Sequence, residues 1–94
     1  GPVWQGGKNG EDATLTACYR RSLELALENG ACSVAFPAIS TGAYDFPPDL
    51  AARIAVQTVT HFLIGTKAIE RIIFCCFSAE SVQHHERVLF ELAL

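Results

Sequence analysis

The 94 residues carry 7 Lys and Arg against 10 Asp and Glu, a net charge of -3, with half the positions apolar and 18% charged. A chain of this length forms at most one small domain of about half a dozen elements. Its acidic balance disfavours binding to a DNA or RNA backbone, which relies on many Lys and Arg contacts. No apolar run approaches the roughly 18–20 residues of a membrane span and no charged-then-apolar leader opens the sequence, so a soluble, cytoplasmic protein without a membrane partner is expected.

Gly6-Gly7-Lys8-Asn9-Gly10 reads as a loop. After it Leu15, Tyr19, Leu23, Ala26 and Leu27 recur at helical spacing, with Glu11 and Asp12 suited to a first turn and Asn29-Gly30 as a stop. Ser33-Val34-Ala35-Phe36 is too short for a helix and lies between Gly30 and Pro37, which predicts a buried strand. A second helix opens at Pro47-Pro48-Asp49, carries Ala51, Ile54, Ala55, Thr58, Val59 and Phe62 on one face and ends at Gly65. The run Arg71 to Phe77 is nearly all apolar, as for a parallel strand covered on both faces. Ser78 then caps a third helix with Val82, His85, Leu89 and Leu92 on one face.

The order α-β-α-β-α predicts an α/β fold, a mostly parallel sheet between helical layers in a three-layer α/β/α arrangement. Two strands make a poor sheet. A third is expected from Pro2-Val3-Trp4, from another copy of the chain or from a segment outside these residues. Cys18, Cys32, Cys75 and Cys76 lack the spacing of a zinc or thioredoxin-like site and are expected as buried, reduced thiols. No metal is expected, and His61, His84 and His85 read as helix residues.

The stretch Pro37-Ala38-Ile39-Ser40-Thr41-Gly42-Ala43-Tyr44-Asp45-Phe46-Pro47-Pro48 links the first strand to the second helix. Backbone N–H groups around a glycine can converge on an anion there, helped by the helix N-terminus. The plain alternative is an ordinary connection, since Ser, Thr and Gly form turns for local reasons. Tyr44 and Phe77 have a plain reading as well, as packing residues. Neither Ser40 nor Thr41 has a general base at a recognisable offset, so no catalytic residue is assigned.

Gly1-Pro2-Val3-Trp4 with Gly6-Gly7, then Ala35-Phe36-Pro37-Ala38-Ile39-Ser40-Thr41-Gly42 with Tyr44 and Pro47, then Cys76-Phe77-Ser78 with Glu80, occur in an order that resembles the macro domain, the ADP-ribose-binding α/β/α module. The resemblance implies that Ser40, Thr41, Gly42, Ala43 and Tyr44 offer backbone N–H groups to a diphosphate, that Tyr44 packs against the distal ribose and that Phe77 lies beside the adenine. It also implies ADP-ribose or a related nucleotide as ligand, with no further cofactor, and hydrolysis of ADP-ribosyl or O-acetyl-ADP-ribose esters only where the site is complete.

The family is normally longer. Its amino-terminal half, with an asparagine-rich segment, a first glycine-rich phosphate loop and an acidic adenine contact, has no match among these residues. Residues 1–94 are therefore expected to be a single partial macro domain, the carboxyl-terminal half of a truncated α/β/α unit. Asp45 stands where the family commonly has glycine or a basic residue, and His85 where it often has an aromatic. A second expectation is a structural role, in which the half-domain joins another copy or a complementary chain through its exposed sheet edge.

Overall fold

The computed structural model describes residues 1–41, 44–76 and 78–93, the side chains of residues 92 and 93 excepted. Three helices alternate with two strands: α1 (Glu11–Glu28), β1 (Ser33–Phe36), α2 (Pro48–Ile64), β2 (Arg71–Phe74) and α3 (Ala79–Ala93). The strands pair in parallel, with Ser33 opposite Arg71 and Phe36 opposite Phe74. The α/β order and the parallel sheet are those expected from the sequence.

The helix ends follow their local chemistry. Gly30 adopts φ 74° after α1, and Ala31 N–H reaches back to the Ala26 carbonyl at 2.9 Å, a turn that closes the last carbonyls of the helix. Pro48 opens α2, where a missing N–H costs nothing. Ser78 Oγ accepts the Ser81 N–H at 3.1 Å and so caps α3 as expected.

Leu15, Tyr19 and Leu23 of α1 pack with Phe36, Phe46, Ala51, Ile54, Ala55, Val59 and Ile69 in one core. Leu15 and Leu23 are fully buried, each contributing about 1.5–3 kcal/mol of apolar transfer. α2 packs against both α1 and α3, which explains why Ala52 and Val56 are buried beyond the single face read from spacing. The Tyr19 and Phe36 rings lie 4.9 Å apart, those of Phe36 and Phe74 6.3 Å, and Phe74 and His85 5.3 Å. Phe36 and Phe74 are register partners and share a face, so α1 and α3 both reach the same side of the sheet.

Several expectations need correction. β2 ends at Phe74, so Cys75 and Cys76 follow the strand instead of belonging to it. Its burial alternates and leaves Ile73 40% exposed, so the strand expected to be covered on both faces keeps one face open among the described residues. Pro2-Val3-Trp4 forms no strand, because its backbone bonds to the loop after β1 instead. Cys32 and Cys75 are exposed and Cys18 and Cys76 intermediate, so the thiols are free but not buried. In α3 the buried positions are His85 and Val88, while Val82 and Leu89 stay 39% and 47% exposed. Those two border a groove with Ile72 and Phe74, beside the outer edge of β2, where the described chain has no further strand to cover them.

Candidate ligand-binding site

Both strands run the same way, so their carboxyl ends bring the segment after Phe36 and the segment after Phe74 together. A cavity of about 260 Å³ opens there, with Ala38, Ile39 and Thr41 on one side, Pro48 and Ala51 of α2 behind, and Ser78, Ser81 and His84 at the start of α3 opposite. Tyr19 reaches it from α1; burial pushes its phenol up to about 12, so it stays neutral. Its hydroxyl lies 3.5 Å from the Pro37 carbonyl, a long contact at the root of the loop.

The loop is tied at its base. Phe46 N–H donates to the Ser40 carbonyl at 2.9 Å, and Trp4 N–H to the Tyr44 carbonyl at 2.8 Å. Ser40 and Asp45, at either end, have φ of 67° and 57°, a left-handed conformation uncommon without glycine. Ser40 is buried, and its Oγ has no hydrogen-bond partner among the described residues. It lies against Gly1, where a Cβ would come within 2.2 Å of that oxygen. Thr41 lines the cavity, its hydroxyl donating to the Ala38 carbonyl at 2.9 Å, and its N–H faces the same carbonyl at 3.4 Å. Tyr44 is 46% exposed. Gly42, Ala43 and Phe77, three of the six residues singled out from sequence, lie outside the described residues.

The cavity wall holds hydroxyls, one carboxylate and two imidazoles. Its Glu80 carboxylate lies 3.5 Å from His84 Nε2, and no Lys or Arg lines it among the described residues. An anion here therefore depends on backbone amides and helix N-termini, not on Lys or Arg. His85 Nδ1 sits 2.8 Å from the Ser81 carbonyl, which only accepts, so that nitrogen carries the proton. Cys76 Sγ, 3.7 Å from the same nitrogen, therefore does not find a base in it.

The macro domain family profile matches residues 1–55. The chain belongs to the macro domain family. It is 54% identical over 93 residues to a macro domain-containing protein of Mesorhizobium japonicum, spanning 98% of this chain and 52% of that protein. It is 49% identical over 89 residues to the O-acetyl-ADP-ribose deacetylase of Klebsiella pneumoniae, 95% of this chain and 51% of the enzyme. A solved Oceanobacillus iheyensis macrodomain with ADP superposes with a TM-score of 0.92 at 33% identity, over 99% of this chain and 48% of that one. A Trypanosoma brucei macrodomain in complex with ADP-ribose does so with a TM-score of 0.86 at 34% identity, over 95% and 37%. The chain thus spans about half the length of the curated relatives it matches.

Within this macro domain chain, sequence reasoning missed two parts of the site region. Tyr19 reads as one more core position of an amphipathic helix, and only the fold shows its hydroxyl against the loop. Glu11 reads as a first-turn acid suited to the helix dipole, yet it is buried and accepts three backbone N–H groups. The glycines at 6, 7 and 10 were the available signal, because a chain that curls round a carboxylate needs positive φ.

Proposed function

We propose that residues 1–94 form the carboxyl-terminal part of a macro domain and supply one wall of a site for ADP-ribose or a related nucleotide. Backbone amides of Ser40, Thr41, Gly42, Ala43 and Tyr44 serve the diphosphate and distal ribose, and Phe77 the adenine side. Hydrolysis of ADP-ribosyl or O-acetyl-ADP-ribose esters belongs to the complete site, and no residue of this chain is assigned a catalytic role. A reducing, cytoplasmic setting suits the four free thiols.

The observation that carries this reading is the loop's place: it borders a cavity at the carboxyl ends of two parallel strands and leads into a helix N-terminus, where open α/β sheets take their ligands. At about 260 Å³ the cavity is just below the roughly 300–1,000 Å³ of small-molecule sites, as suits a partial site. Titration calorimetry with ADP-ribose tests it. Binding in the micromolar to millimolar range is expected, with adenosine weaker than ADP-ribose, and a folded chain giving no heat at millimolar ligand contradicts the reading.

A second reading, assembly through the sheet, is favoured by the uncovered face and edge at Ile73, Val82 and Leu89. Light scattering is expected to show a concentration-dependent dimer or larger species. A monodisperse monomer at high concentration excludes self-assembly.

A further inference from the structure

Glu11 is 3% exposed, and a carboxylate so placed is costly unless its oxygens are bonded. Its Oε2 accepts the N–H groups of Gln5 at 2.8 Å and Gly7 at 2.9 Å, and Oε1 that of Asn9 at 2.7 Å. Asn9 Nδ2 donates to Gln5 Oε1 at 2.7 Å and closes the turn on itself. The turn is pressed onto Trp4: a Cβ at Gly7 would lie 2.9 Å from Trp4 Cη2. The Trp4 ring in turn lies 4.9 Å from that of buried Phe46, tilted by 58°, while its N–H holds the Tyr44 carbonyl at 2.8 Å. Contacts therefore run without a break from the first residue of α1 to the loop at residues 40–46.

We infer that Glu11 is a positioning residue for the ligand loop, acting through the turn at residues 5–9 and through Trp4 on Tyr44 and Phe46. The inference rests on the reading of residues 40–46 as the ligand loop. Leu15 and Tyr19 fix α1 in the core, so Glu11 ties the loop to the rigid part of the molecule. The loop needs such a tie, because two non-glycine residues in left-handed conformations persist only when their surroundings hold them. A preformed array of amides binds an anion without an ordering cost, whereas a loosened loop must be ordered by its ligand.

Amide hydrogen exchange on the folded chain tests the tie without any ligand. In the wild type the Trp4 and Phe46 amides are expected to be protected. Glu11→Gln keeps the side-chain shape but turns an NH₂ toward amide donors; it should speed exchange at Trp4 and Phe46 about tenfold while Ala55 and Val59 in α2 keep their rates. ADP-ribose should bind this variant about five- to tenfold more weakly. Trp4→Leu, which leaves the Glu11 bonds intact, should loosen the Phe46 amide alike and decides the matter if Glu11→Gln fails to fold. Loop and α2 amides accelerating together would reduce Glu11 to general stability and overturn the inference. Unchanged loop amides in a folded variant, an unprotected Phe46 amide in the wild type, or unchanged ADP-ribose affinity in Glu11→Gln would also overturn it. A wild type that binds no ADP-ribose removes the ligand reading and leaves the tie to be judged by exchange alone.

Discussion

Asp45 combines two costs at one position: a left-handed backbone, φ 57°, and a carboxylate beside a loop read as a diphosphate cup. Glycine there would relieve strain of about 1 kcal/mol but add about 0.4–1 kcal/mol of unfolded-state entropy. The two nearly cancel, so Asp45→Gly should leave stability within about 0.5 kcal/mol by thermal melting. Its effect on binding should be larger in proportion: removing a like charge at the surface strengthens anion affinity about twofold at low salt, less at high salt. Equal affinities at low salt would show that the carboxylate faces away from the ligand. The sequence marked Asp45 as a departure from the family, but the backbone conformation that explains a preference for glycine emerged only in the fold.

At the scale of elements, the turn at residues 5–9 and the start of α1 form one unit around Glu11. The Gln5 amide, with those of Gly7 and Asn9, holds the Glu11 carboxyl below its usual value of 4.5 against the opposing effect of burial. A depressed folded-state pKa contributes stability that is present in full above the unfolded value and is lost as pH falls through the folded one. Melting temperatures of wild type and Glu11→Gln should therefore differ by a constant amount from neutral pH down to about 4.5 and converge below it. A difference that persists unchanged to pH 3 would contradict this.

The helices were legible from periodicity because Leu15, Tyr19 and Leu23, or Ile54, Ala55 and Val59, face a core within this chain. The face of α3 with Val82, His85 and Leu89 lines one groove but is only partly buried, for a physical reason. Val82 and Leu89 are as apolar as core residues but border the open edge of β2, and hydropathy cannot tell a side chain buried here from one left for a further neighbour. The Glu11 unit was hidden because its partners are backbone amides, which leave no mark in side-chain spacing.

For the whole molecule, the loop sequence and its strand-to-helix setting were enough to point to the macro domain, and the family profile over residues 1–55 and the superposition at TM-score 0.92 agree. What the sequence could not reveal was how the sheet is finished. Among the described residues, a two-stranded sheet with Ile73 exposed leaves apolar area uncovered, and the relatives matched are about twice as long. The chain nonetheless has the parallel strands, the loop and the cavity at their carboxyl ends. In the proposed function the loop itself receives a nucleotide diphosphate. The ADP-ribose titration tests it most directly when followed in backbone amide spectra. Shifts concentrated at Ser40, Thr41, Tyr44 and Ser78 are predicted, with a separate groove between α1 and α2, lined by Arg20 and His61, unmoved; shifts spread over the surface, or none at millimolar ligand, would contradict it.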